Sequence, residues 1–143
     1  GSESWSDFHI ECNIAPQTAV VAGLLLRYDP ATRQGVVVVL DFRRGAVEVC
    51  GTKLGWRWIG RSVWDRVALS LTLEKPKRLR ILCRAEFIEV YVDDVWIFTT
   101  ALQNRPSAEA LEEIPRAGRL GYLVEDGIAT FSNVRLARLA PLP

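Results

Sequence analysis

Arg78-Leu79-Arg80-Ile81-Leu82-Cys83-Arg84, with Phe87-Ile88-Glu89-Val90-Tyr91-Val92-Asp93-Asp94 just behind it, decides how this chain folds. In the first run Arg78, Arg80 and Arg84 share the alternate positions with Leu82, and Leu79, Ile81 and Cys83 take the others. Successive side chains of a strand point to opposite faces, so the pattern is a half-buried strand with a charged outer face. In the second run Ile88, Val90 and Val92 alternate with Phe87, Glu89 and Tyr91. Asp93-Asp94 then makes a tight turn and Val95 to Ala101 returns, which is a β-hairpin.

The same grammar extends in both directions. Turn signals recur at Asn13-Ile14-Ala15-Pro16, Tyr28-Asp29-Pro30, Arg43-Arg44-Gly45, Gly51 to Gly60, Glu74-Lys75-Pro76, Gly118 and Glu125-Asp126-Gly127. Short runs rich in Val, Ile, Leu and aromatics lie between them. Regular short strands separated by turn chemistry indicate a sandwich or barrel. Val36 to Leu40 is a continuous β-branched run, suited to a strand covered on both faces. Ile128 to Leu139 is a long terminal strand, and Ser132-Asn133 marks a bulge in it. One stretch, Pro106 to Glu113, reads as a two-turn helix with Ser107 as its N-cap. The expectation is one all-β domain over residues 3–143, an antiparallel sandwich of about 11 strands with one short helix.

Composition narrows the function. The 143 residues carry 18 basic and 17 acidic side chains, a net charge of +1. That balance supplies no bulk electrostatic reason to bind nucleic acid or an anionic membrane. No run reaches 18 uninterrupted apolar residues, so no membrane-spanning helix is expected. The single histidine, His9, excludes a two-histidine metal site, and no dense Asp/Asn loop of the calcium-binding kind is present. No metal or other cofactor is expected. The chain has no methionine and begins Gly1-Ser2, which reads as a tag-cleavage remnant on a piece of a longer protein.

Catalytic signatures are sparse. A glycosidase needs two carboxyls at a set separation. No Asp or Glu pair here has the spacing of two that places both on one strand face. Cys12, Cys50 and Cys83 sit among apolar residues and read as buried fillers. His9 is three residues from Cys12 and faces the other side, so no Cys/His pair forms. Gly118-Arg119-Leu120-Gly121 lacks the Lys-Ser/Thr of a phosphate loop. Arg78, Arg80 and Arg84 form a basic stripe that reads as a solvated face, or alternatively as a surface for phosphate or an acidic glycan. Trp56 and Trp58, flanked by Gly55 and Gly60, share a side if extended. They are candidates for stacking on the apolar face of a sugar ring, the alternative being core filling.

Three blocks carry a family resemblance. They are Phe8-His9-Ile10-Glu11-Cys12 with Ala22-Gly23-Leu24-Leu25-Leu26-Arg27; Leu79 to Cys83 running into Ile88 to Asp94; and Gly118 to Gly127 followed by Ala129-Thr130-Phe131-Ser132-Asn133-Val134-Arg135-Leu136. Together they resemble the β-sandwich appended to glycoside hydrolase family 32 enzymes, which is similar to carbohydrate-binding module family 66. Both have the concanavalin A-like lectin/glucanase fold, a jelly roll. The resemblance implies a non-catalytic partner of a fructan- or other glycan-degrading enzyme, covalently linked to the catalytic domain, with carbohydrate as its ligand. It further implies a sugar site of Glu11, Arg27 and Glu125 or Asp126, with Trp56 or Trp58 beside it. Carboxylates would accept from ring hydroxyls while the arginine fork donates. A salt bridge of Glu11 or Glu125 with Arg27 is the structural alternative. A ligand-free packing module and a small glucanase are the competing functions. The Glu-x-Asp-x-x-Glu strand motif of such glucanases is missing from the sequence.

Overall fold

The computed structural model describes residues 7–54, 58–102 and 119–139, with the backbone alone at 53–54 and 58–62. Ten strands are present among the described residues: β1 (Phe8–Pro16), β2 (Val21–Asp29), β3 (Gln34–Asp41), β4 (Ala46–Leu54), β5 (Trp58–Ala68), β6 (Lys77–Arg84), β7 (Phe87–Val92), β8 (Val95–Ala101), β9 (Arg119–Glu125) and β10 (Ala129–Arg138). They form two five-stranded antiparallel sheets, β10-β1-β6-β7-β8 and β5-β4-β3-β2-β9. The expected sandwich is therefore present, with ten strands described rather than about 11. The expected helix at 106–113 lies outside the described residues.

Alternation builds the core. Phe8, Ile10, Cys12 and Ile14 of β1 join Leu79, Ile81 and Cys83 of β6 and Ile88 and Val90 of β7. Against them pack Leu24 and Leu26 of β2 and Val36, Val38 and Leu40 of β3. Val37 and Val39 point the other way into a second cluster with Val21 and Leu123, and both are fully buried. The Val36–Leu40 run is thus covered on both faces, as its lack of alternation indicates. Desolvation in this core pushes the thiol of Cys83 up to about 12 and that of Cys12 up to about 11. These two cysteines behave as packing groups.

The two long sides of the sandwich close differently. Between β8 and β5, the Thr100 hydroxyl donates to Asp65 Oδ2 at 2.7 Å. Between β9 and β10, the rings of Tyr122 and Phe131 lie 4.6 Å apart.

Turn chemistry sets the register. Asp93 and Asp94 have φ of 50° and 65°, and Val92 pairs directly with Val95. This is a two-residue turn with both central residues left-handed, matched to the twist of the strands. Asn133 has φ 51° where the β1–β10 register shifts, which is the bulge expected at Ser132-Asn133. Two expected turns are strand instead. Asn13 to Pro16 continues β1, because Pro16 is its last residue and pairs only with Ala129 of the edge strand β10. Gly51 lies within β4: a Cβ there would stand 2.3 Å from the Trp64 ring, so the glycine makes room for a core tryptophan.

Gly23 is the tightest position of β2. A Cβ added there would meet the Val38 carbonyl oxygen at 1.9 Å. Gly23→Ala is expected to cost about 3 kcal/mol or more in urea unfolding, because backbone rather than a flexible side chain must move. Ala85, at φ 50° in the β6–β7 turn, is a non-glycine residue in the left-handed region. Ala85→Gly is expected to raise stability by roughly 0.5–1 kcal/mol in the same assay.

Candidate functional site

The sheet β10-β1-β6-β7-β8 turns its second face to solvent. Strand register places Arg135, Glu11, Arg80, Tyr91 and Trp96 in one row across all five strands. At about 4.8 Å per strand the row spans roughly 19 Å. Its members come from β10, β1, β6, β7 and β8 in turn, so no contiguous stretch of sequence contains the site.

Two tightly held parts make up the row. At one end, Arg78 of β6 donates from Nε to Glu11 Oε2 at 3.1 Å and from Nη1 to Asn13 Oδ1 at 2.8 Å. Both of its terminal nitrogens also reach the Asn133 carbonyl at 3.4 Å. Arg78 therefore fastens β6 to β1 and to the bulge of β10. The guanidinium beside Glu11 holds its carboxyl below the ordinary value of 4.5, against the opposing effect of desolvation. Next to this clamp lies an open depression of about 550 Å³ lined by Glu11, Arg78, Asp94, Asn133, Val134 and Arg135.

At the other end the groups are aromatic. The Arg80 guanidinium carbon sits 4.2 Å from the centroid of the Tyr91 ring. The Tyr91 hydroxyl donates to Glu89 Oε2 at 3.1 Å. Desolvation first, then this acceptor, raise the Tyr91 pKa above its usual range. Trp96 pairs with Tyr91, is 57% exposed, and donates from Nε1 to Thr99 Oγ1 at 3.0 Å. An indole oriented by its N–H and left open on one face is a rigid platform that loses little entropy when something stacks on it.

The residues that the resemblance implied are dispersed. Glu11 is in the row. Arg27 is in the opposite sheet, only 1% exposed, at φ 51° on the β2 bulge, with Nη2 3.9 Å from Asp7 Oδ1. Glu125 pairs with Val21, six residues from Arg27 along β2 and so roughly 20 Å away. Arg43 holds both acids of that turn, Asp126 at 2.8 Å and Glu125 at 3.8 Å. Glu11, Arg27 and the Glu125-Asp126 turn thus do not converge on one pocket. The alternative pairing with Arg27 is not formed either, since Glu11 takes Arg78 and Glu125 takes Arg43. Trp58 begins β5, and Trp56 lies outside the described residues.

Trp96 is not among the residues expected from the sequence, although a local signal for it is present. A two-residue turn at Asp93-Asp94 places Val95 opposite Val92, and hence Trp96 opposite the outward Tyr91. Arg78 and Arg135 as neighbours of Glu11 were not legible, because they depend on non-local pairings of β1 with β6 and β10.

Among solved structures, the fold is similar to the carbohydrate-binding module CBM66 from Bacillus subtilis, with a TM-score of 0.77 and 20% identity over 94% of this chain and 77% of that one. It is also similar to the Caenorhabditis elegans galectin LEC-6, with a TM-score of 0.63 and 16% identity over 94% of this chain and 84% of the galectin. A third likeness is to the GH43 protein BlXynB from Bacillus licheniformis, in a K247S mutant form: TM-score 0.63, 14% identity, 94% of this chain and 28% of that chain. The fold is thus the β-sandwich of carbohydrate-binding modules and galectin-like lectins. No protein-family model and no curated protein matches the sequence.

The Arg78 clamp makes two predictions. Arg78→Ala strands Glu11 and Asn13 and is expected to cost about 1–3 kcal/mol in denaturant unfolding. A carboxyl whose folded pKa is depressed stabilises above its unfolded pKa and loses that stabilisation as pH falls through the folded value. The stability difference between the native protein and Glu11→Gln is therefore expected to be full at neutral pH. It should shrink only below the ordinary carboxyl value of 4.5, as followed by thermal melts across acid pH.

Proposed function

We propose that this protein is a non-catalytic carbohydrate-binding module that holds its ligand on the outer face of β10-β1-β6-β7-β8. The observation that carries the reading is Trp96: an exposed indole, anchored by Thr99, beside the Tyr91 ring and in line with Arg80 and Glu11. A sugar ring presents an apolar face and a rim of hydroxyls. The indole takes the face, while Glu89 and Glu11 offer acceptors and Arg80 offers donors to the rim. Glu11 is thereby kept from the set that the resemblance implied. Arg27 acts instead as a buried support of β2, and the Glu125-Asp126 turn as a partner for Arg43.

The resemblance to the family 32 appended module, together with the fold shared with CBM66, supports a fructan or related glycan as ligand. It also supports covalent attachment to a glycoside hydrolase, with residues 3–143 as one accessory domain. A second reading, a structural module packed on that catalytic domain, draws on the β9/β10 side. There Tyr122, Val124, Ile128, Val134 and Leu136 are 39–62% exposed.

Calorimetric titration with levan and inulin oligosaccharides tests the first reading. A ring covering on the order of 60–100 Å² of indole gains roughly 1.5–2.5 kcal/mol at about 25 cal/mol per Å². Trp96→Ala is therefore expected to weaken binding at least about tenfold with little change in melting temperature. Unchanged affinity in Trp96→Ala would remove Trp96 from the site. Absence of binding to any glycan at millimolar concentration would favour the packing reading.

A further inference from the structure

We propose that the outer face of β10-β1-β6-β7-β8 prefers acidic glycans, with Arg80 and Arg135 receiving a carboxylate or sulfate carried next to the sugar that stacks on Trp96. The inference rests on the carbohydrate-binding reading above and specifies the ligand class of that site.

Two arginines on this face carry a charge that no ion pair among the described residues takes up. Of the arginines on this face, Arg78 is consumed by Glu11, Asn13 and the Asn133 carbonyl. In return it neutralises Glu11, which lies between Arg80 and Arg135 in the row. Arg80 and Arg135 are the direct register neighbours of Glu11 on either side, yet neither forms an ion pair with a described residue. They stand about 10 Å apart at the backbone, within joint reach of one anion above the neutralised Glu11.

Arg80 is prepared for such a partner. Its guanidinium carbon lies 4.2 Å from the centroid of the Tyr91 ring, a cation–π contact that restrains the side chain on this face. Its Nε is buried and has no protein acceptor, and the same holds for Nε2 of His9 on the same face. The terminal nitrogens of the fork are the ones open to an incoming carboxylate or sulfate, which they meet with charge-assisted hydrogen bonds. The acids nearby are occupied or peripheral: Glu89 accepts from Tyr91, Asp93 is held by Lys77, and Asp94 sits at the rim of the depression. The chain's net charge of +1 leaves this preference to local geometry rather than long-range attraction.

The test is calorimetry of the full chain with three oligosaccharide probes: oligogalacturonides for carboxylate, a sulfated galactan for sulfate, and inulin oligosaccharides as the neutral control. At least one acidic probe is expected to bind about tenfold or more tightly than inulin, and to weaken as ionic strength rises. Which acidic probe wins assigns the anion. Arg80→Gln and Arg135→Gln are each expected to weaken binding of that acidic probe at least about tenfold more than they weaken binding of inulin. Arg80→Lys keeps the charge but loses the fork, and is expected to restore only part of that binding. Thermal melts confirm that each variant folds. Inulin binding as tightly as the acidic probes, without salt dependence, would overturn this inference and leave the carbohydrate reading intact. Acidic binding unchanged in both glutamine variants would overturn it equally. No binding of any probe would overturn both.

Discussion

The alternation of side chains in paired strands, pinned by burial of one face, is the constraint on which the rest of this structure depends. A one-residue slip in β6 would move Leu79, Ile81 and Cys83 to solvent and carry three arginines into the core. The cost of burying unpaired guanidinium groups forbids that register. Once β6 is fixed, β1 and β7 are fixed against it. Glu11, Arg80 and Tyr91 then line up without any interaction among them having to arrange it. The proposed binding face is a consequence of the core.

Local devices refine what alternation begins. The Asp93-Asp94 turn carries the register from β7 into β8 and so delivers Trp96 beside Tyr91. The bulge at Asn133 re-aims β10 and presents a carbonyl to Arg78. Arg78 in turn holds Glu11 in place and cancels its charge. These contacts divide the face into a committed part, Arg78 with Glu11, and an uncommitted part, Arg80, Arg135 and the open indole. The proposed recognition falls to the second, whose arginines form no ion pair among the described residues.

The sandwich, the Asp93-Asp94 hairpin, the doubly covered Val36–Leu40 strand and the Ser132-Asn133 bulge were all legible in the sequence. Each is written in a local pattern: period two, an apolar run, or a turn dipeptide. The candidate site was legible only in part. Glu11 was identifiable, but its partners arrive from strands 67 and 124 positions away, through pairings that no local pattern encodes. Arg27 shows the converse failure. An arginine at a strand end is ordinarily exposed, yet the β2 bulge turns this one inward toward Asp7. Gly51 misled for a related reason, since its missing side chain serves the Trp64 ring rather than a turn.

The central claim is the location of the ligand, and amide chemical-shift mapping during titration with a bound oligosaccharide tests it most directly. The account predicts that the Trp96 indole N–H and the backbone amides of Glu11, Arg80, Tyr91 and Thr99 move together and saturate at one affinity. Shifts confined to the outer face of the other sheet around Val37 and Val39, or to the Glu125-Asp126 turn, would contradict it.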